Sequence, residues 1–232
     1  MIRINNVMFK TPDYIVTDIG DIQVAKKRVA EEGTIYGANG RYINHDGGYE
    51  SSERTLKISV SDFEKMTQLI TTFNDFDNEI VFAYLSTSKF IADLIDIKYA
   101  KQGLHKWVVS IKLLFNPFRY ALDNRLIVLG RSGTVNNVGN VNSEPIIEIE
   151  GNGEVSLTIG TQTMVLNLDT RARIDCRHLK QNIYDKNNNI KNSIRIRGGF
   201  FEFKPGLNGV TTNGNVTSLK IYGNWRWNMW FT

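Results

Sequence analysis

Hydrophobic positions along this chain recur mostly with a period of two, and one stretch departs from that rhythm. Leu56, Ile58 and Val60 alternate with Lys57 and Ser59, the pattern of a half-buried strand. Ile2, Ile4 and Asn5-Asn6-Val7 predict a short opening strand and turn, and Ile15 to Lys27 continues as strand-prone sequence interrupted at Asp18 and Gly20-Asp21. Further strands are predicted at 80–85, 90–99 and 107–115. The exception runs from Ser61 to Phe73, where Phe63, Met66, Leu69, Ile70 and Phe73 fall three to four residues apart and give a helix one apolar face. Ser61 and Glu64 have the spacing of a capping box, so the helix is expected to open at Ser61. Its aromatic stripe reads as packing against a sheet.

The apolar run Trp107 to Phe115 leads into Asn116-Pro117-Phe118-Arg119-Tyr120. Proline has no N–H to give to a ladder, so the strand is expected to stop there and to close the first domain. Beyond residue 120 the pattern changes to short runs between turn residues: Leu126–Leu129, Ile146–Ile149, Val155–Ile159, Met164–Leu168 and Arg173–Cys176. Gly130-Arg-Ser-Gly133 and Asn136–Asn140 read as linker turns, and Gly151-Asn152-Gly153 as a hairpin turn. More turns are expected at Asn187–Asn189, Gly198-Gly199, Pro205-Gly206 and Asn213-Gly214, with a last tryptophan-rich strand over 225–231. Such spacing predicts a β-sandwich. The fold class is therefore mostly β, with an α+β N-terminal domain (1–130) carrying one main helix and a C-terminal sandwich domain (131–232), a division that 232 residues accommodate.

Composition supports a folded chain, with 41% hydrophobic and 22% charged residues. The net charge of +4 is thinly spread, and its densest cluster, Lys26-Lys27-Arg28, is offset by Glu31-Glu32. Arg171, Arg173 and Arg177 come nearest to a basic stripe but read as a solvated face, so no nucleic-acid specificity is expected. The single cysteine, Cys176, cannot form an intrachain disulfide or a paired-cysteine metal site, and its alternation with Ile174 predicts a buried, inert thiol. No charged leader precedes an apolar core, and no apolar stretch approaches the roughly 20 residues of a membrane span, so neither export nor membrane insertion is expected.

Candidate chemistry is sparse. Gly37-Ala-Asn-Gly40 lacks the Lys-Ser/Thr of a phosphate loop, and Asn74–Glu79 lacks the glycine and terminal glutamate of a calcium loop. His45, His105 and His178 lie far apart in the sequence and outside any H-E-x-x-H or G-x-S-x-G context, so no enzyme, metal or cofactor is expected. The glycine-punctuated stretch 33–48 predicts a long hairpin with an exposed tip.

Taken in order, Asn116–Tyr120, Asn137–Asn140 with Ser143-Glu-Pro145, Ile146–Glu150 with Gly151–Gly153, Ile174–Cys176 before Tyr184, Gly198–Phe201 with Lys204–Asn208, and Trp225-Arg-Trp227 resemble the distal tail proteins (Dit) of siphovirus-type bacteriophages. The resemblance covers essentially the whole chain. It implies an N-terminal domain forming a sixfold ring, single or stacked back to back with a second, and a galectin-like C-terminal sandwich projecting outward. Such a hub sits at the virion tail tip after synthesis in the host bacterial cytoplasm. It joins the tail tube protein to the tail-associated lysin or fibre-type protein and carries receptor-binding or baseplate proteins. The candidate ring-interface residues are Ile35, Tyr36, Asn39, Arg41 and Tyr42 of the hairpin, whose alternation is expected to fix register with a neighbour's strand. The alternative is a lectin-like module binding carbohydrate through Trp225, Trp227 and Trp230, although a tryptophan pair on a terminal strand is more often core.

Overall fold

The structure, a computed structural model, describes residues 1–34, 36–37 and 39–228. It is mostly β and forms two compact units, Met1–Leu122 and Asp123–Trp227.

The first unit contains β1 (Ile2–Ile4), β2 (Val7–Phe9), β3 (Tyr14–Asp18), β4 (Lys27–Gly33), β5 (Tyr42–Tyr49), β6 (Ser52–Val60), helix α1 (Phe63–Thr71), β7 (Asn78–Phe82), β8 (Ser88–Gln102) and β9 (Lys106–Ala121). An antiparallel sheet runs β2-β1-β7-β8-β9-β6-β3, and β4 and β5 form a separate two-stranded ribbon. Period-two alternation puts Leu56, Ile58 and Val60 of β6 on one face with Val109, Ile111, Leu113 and Phe115 of β9, all buried. Met66 and Leu69 of α1, with Phe73 beyond its end, close that core. Full burial contributes about 1.5–3 kcal/mol for a leucine or methionine side chain.

Two expectations fail here for physical reasons. The helix opens at Asp62, one residue later than the capping box predicts, because the Asp62 carboxylate accepts from the Lys65 amide at 2.8 Å while Ser61 only supports it through a hydrogen bond to Asp62 Oδ2. Strand β9 does not stop at Pro117. Phe115 faces Ala92 and Arg119 faces Phe90, so two extra residues bulge out of β9 around the proline, beyond the last residue that β6 covers (Phe115). A proline excludes itself from the ladder but not from a bulge.

The second unit contains β10 (Leu126–Leu129), β11 (Ser132–Asn137), β12 (Ile146–Ile159), β13 (Gln162–Leu168), β14 (Arg171–Asp175), β15 (Asn182–Tyr184), β16 (Arg195–Arg197), β17 (Gly206–Tyr222) and β18 (Arg226–Trp227). Leu126–Leu129, expected in the first domain, is β10 and pairs with Leu219–Tyr222 of β17. Ser132–Asn137, in the stretch whose turns at 130–133 and 136–140 are expected to form a linker, is β11 and pairs with Gly206–Thr211. Gly151–Gly153, expected as a hairpin turn, and Asn213-Gly214, expected as a turn, lie inside the two long strands β12 and β17 and face each other across a register shift. A Cβ on Gly151 would come within 2.2 Å of the Asn215 carbonyl, and Gly153 and Gly214 take φ of +76° and +91°.

At these paired bulges the ladder changes partners. One part of the sheet runs β10-β17-β12-β14-β15 and the other β11-β17-β12-β13-β16. Ile147 and Ile149 before the bulge and Val155, Leu157 and Ile159 after it keep one parity and are all buried, so one continuous face of the bent sheet encloses the core. Ala172, Ile174 and Cys176 join it from β14 and its end, as the alternation predicts.

Candidate assembly surfaces

The β4–β5 ribbon is the most exposed part of the described chain. Every described residue of its strands is exposed except Gly48 and Tyr49. An isolated two-stranded ribbon is marginal in water, so local polar contacts have to hold it. Arg28 Nε lies 2.5 Å from Asp46 Oδ2, Arg41 Nη1 lies 3.2 Å from Glu32 Oε2, and the Gly48 amide donates to Asp46 Oδ1 at 2.8 Å. The Gly48 amide, and after it the Arg28 guanidinium, hold the Asp46 carboxyl below its ordinary range. Gly47 supplies a φ of +84° beside this turn. At the root, Glu50 donates its amide to the Lys26 carbonyl and the ring of Tyr49 meets Phe118.

The predicted interface residues map onto the tip of this arm. Tyr36, in the turn, is fully exposed, and Asn39 is exposed in the adjoining bend. Arg41 is tied to Glu32, and Tyr42 opens β5 opposite Gly33 at 46% exposure. Ile35 lies outside the described residues. Tyr36 is in a turn, so strand alternation does not govern where it points, and of the described candidates only Tyr42 occupies a ladder position. The arm is also longer than 33–48, since its strands span Lys27 to Tyr49.

Of the tryptophans expected as a sugar platform, Trp225 and Trp227 lie among the described residues. Trp225 is buried, with its ring edge-on to Phe203 at 5.8 Å between centroids, and Trp227 is half-buried. A Cβ on Gly223 would meet the Trp225 indole at 2.1 Å, so the chain admits only glycine beneath that ring. Between the tryptophans, Arg226 donates to the Asn142 carbonyl at 2.6 Å and to Glu144 Oε1 at 3.0 Å, which pins the segment. Trp230 lies outside the described residues.

The remaining polar candidates are engaged structurally. Arg177 grips Asp175 through two hydrogen bonds of 2.9 and 2.6 Å, Arg171 pairs with Glu148 at 3.0 Å, and Arg173 lies over the Tyr184 ring. Burial, reinforced by the neighbouring carboxylates, pushes the Cys176 thiol up to about 12. Among the described residues, no group of three or more His, Cys, Asp or Glu is placed to hold a metal ion, and no helix is long and apolar enough to cross a membrane.

Sequence reasoning missed two features. Arg54 is buried on the apolar face of β6, 5.2 Å above the Phe115 ring, and burial lowers its pKa to about 10. Its place in the alternation, two residues before Leu56, was the available signal. The buried Asn78 amide accepts from the Asn74 amide and from Asn5 Nδ2 and donates to the carbonyls of Asn74 and Ala92, which ties the β1–β2 turn and the segment after α1 to the sheet.

No protein-family model and no curated protein matches the sequence. Among solved structures, the chain is similar to the crystal structure of the Dit protein (gp 19.1) of SPP1, which is described as a paradigm of the hub adsorption apparatus in phages infecting Gram-positive bacteria. The TM-score is 0.67 at 13% identity, over 95% of this chain and 97% of that one. At that identity the likeness is one of fold, and it spans both units: the chain has the fold of a phage Dit protein.

Proposed function

We propose that this protein is a structural hub of a bacteriophage tail tip. In this reading six copies form a ring through the first unit, single or stacked on a second ring. The ring joins the tail tube to the tail-associated protein below it and carries receptor-binding or baseplate proteins, while the second unit is a galectin-like sandwich that projects outward. The carrying observation is the likeness to the SPP1 hub protein over nearly the full length of both chains. The exposed β4–β5 arm adds a physical reason. A ribbon that buries almost none of its own side chains is stabilised by contact with another molecule, and contacts repeated from copy to copy close a ring when the rotation between neighbours closes. The function is assembly, with no bond made or broken.

Negative-stain images of the purified chain test this reading. Sixfold rings are expected, and they should be lost when residues 34–41 at the arm tip are replaced by a two-residue turn. Rings unaffected by that replacement would contradict the role given to the arm. A lectin reading has less behind it, because Trp225 is committed to the core.

A further inference from the structure

The β8–β9 hairpin outgrows its sheet. β7 pairs with β8 only as far as Ala92, and β6 ends at Val60, the partner of Trp107. Residues 98–106 are all exposed. This tip presents Tyr99 and Leu104, 56% and 81% exposed, and the Tyr99 ring packs edge-on to Trp107, which packs in turn on Phe63. No acidic residue occurs between 97 and 106. Lys98 pairs with Asp96, whereas Lys101 and Lys106 form no ion pair with a described carboxylate. The tip is therefore apolar and basic together.

A patch of the opposite sign lies farther down the same strand. After α1, the Asp75 carbonyl accepts from the Leu94 amide and the Asp77 amide donates to Asp93 Oδ1, both at 2.9 Å. The Asn78 side chain clamps the backbone of Asn74 from the other side. These bonds hold Phe76 out at 73% exposure between Asp75 and Asp77, with Asp93 beside them. Holding a large apolar ring in water on a fastened loop gains nothing for the isolated chain. Nine residues of β8 separate Asp93 from Gln102, a span of about 30 Å at strand rise.

We infer that the β8–β9 tip of one copy docks on the Phe76 loop of the next copy in the ring. The inference rests on the ring reading above and gives it a second contact, separate from the β4–β5 arm. A head-to-tail interface needs two different, mutually complementary patches on each copy, and these two match in both respects: Phe76 meets Tyr99 and Leu104, and Asp75, Asp77 and Asp93 meet Lys101 and Lys106. Distinct patches allow a heterologous contact, and such a contact repeated from copy to copy makes a ring when the rotation between neighbours closes.

Charge-swapped variants test it. K101E/K106E inverts the tip. D75K/D77N neutralises the loop, since the new lysine then balances Asp93, and keeps at residue 77 an asparagine that tolerates its φ of +56°. All of these side chains are exposed, so both variants should keep the wild-type melting temperature. Sedimentation of each variant alone should show assembly weakened by about tenfold or more in concentration, because the acidic tip then faces an acidic loop in one and the basic tip loses its attraction in the other. An equimolar mixture should recover, since the unaltered tip then meets the unaltered loop with opposite charge and the acidic tip meets a loop that carries the new lysine and is no longer net negative, and a single chain carrying all four substitutions should assemble better than K101E/K106E. Variants that assemble as wild type does, or a mixture that does not recover, would overturn the inference and leave the ring reading standing. Wild-type chain that stays monomeric at every concentration would overturn both.

Discussion

The rings of Tyr49 and Phe118 meet edge to face, 5.1 Å between centroids and 69° between planes, where the last residue of β5 reaches the bulged end of β9. This contact fastens the root of an arm that is otherwise held by exposed ion pairs, and such pairs are individually weak. Aromatic pairs of this geometry are worth about 0.5–1.5 kcal/mol beyond the area they bury. Tyr49→Ala should therefore speed hydrogen exchange at the amides of β4 and β5 while the main sheet keeps its protection. The same variant should need a higher concentration to assemble. Unchanged exchange in the arm would show that Tyr49 does not anchor it.

The cap of α1 makes a pH prediction. The Lys65 amide, and after it the Ser61 hydroxyl, lower the Asp62 pKa from its ordinary value. A carboxyl depressed in the folded state contributes stability that is fully present above its unfolded pKa, about 3.9, and is lost as pH falls through the lower folded value. Wild-type protein should resist urea better than Asp62→Ala at neutral pH, and the gap should shrink steadily as the pH is lowered past about 4. A gap that is constant with pH would assign the effect to something other than the carboxylate. Ser61→Ala should cost less than Asp62→Ala, because the Ser61 hydroxyl only donates to the Asp62 carboxylate.

Trp225 separates core from platform. Truncating a buried tryptophan to alanine costs about 3–5 kcal/mol, and Trp225 is 8% exposed against Phe203. Equilibrium unfolding of Trp225→Ala should show a loss of that size. A variant with wild-type stability and lost glycan binding would return the segment to the lectin reading.

Cys176 should be silent in the folded protein. Its thiol titrates far above neutrality, with the sulfur buried behind β14. A thiol reagent at pH 8 should label the native chain negligibly and the unfolded chain fully. Fast native labelling would contradict its place in the core.

Much of this architecture was legible in the sequence because it follows from a period of two. The alternation at Leu56, Ile58 and Val60, the inward face of Met66 and Leu69 on α1, and the inward pairing of Ile174 with Cys176 match expectation, whereas Phe63, expected on the same helix face, is 60% exposed and Phe73 packs inward from beyond the helix end. Three departures from expectation share one cause. Pro117 is expected to stop a strand, and Gly151–Gly153 and Asn213-Gly214 to form turns, because proline and glycine terminate regular ladders, whereas here they sit at bulges that let long strands bend and continue. Local sequence records that a residue cannot hold an ordinary ladder position; whether the strand then turns back or resumes depends on its partners. The Asn5–Asn78 hydrogen bond was invisible for a related reason, since its ends are 73 residues apart and neither belongs to a motif. The arm was legible as a hairpin, but its full length was not, because Lys27–Glu32 carries no alternation and is exposed throughout.

The proposed hub is a closed ring of six copies of this chain. Light scattering over a concentration series, with images of the same fractions, reads that number. A mass six or twelve times that of the 26.4 kDa chain is expected, with sixfold rings in the images. A mass that remains that of one chain across the series, or one that grows without limit as an open filament, would contradict it.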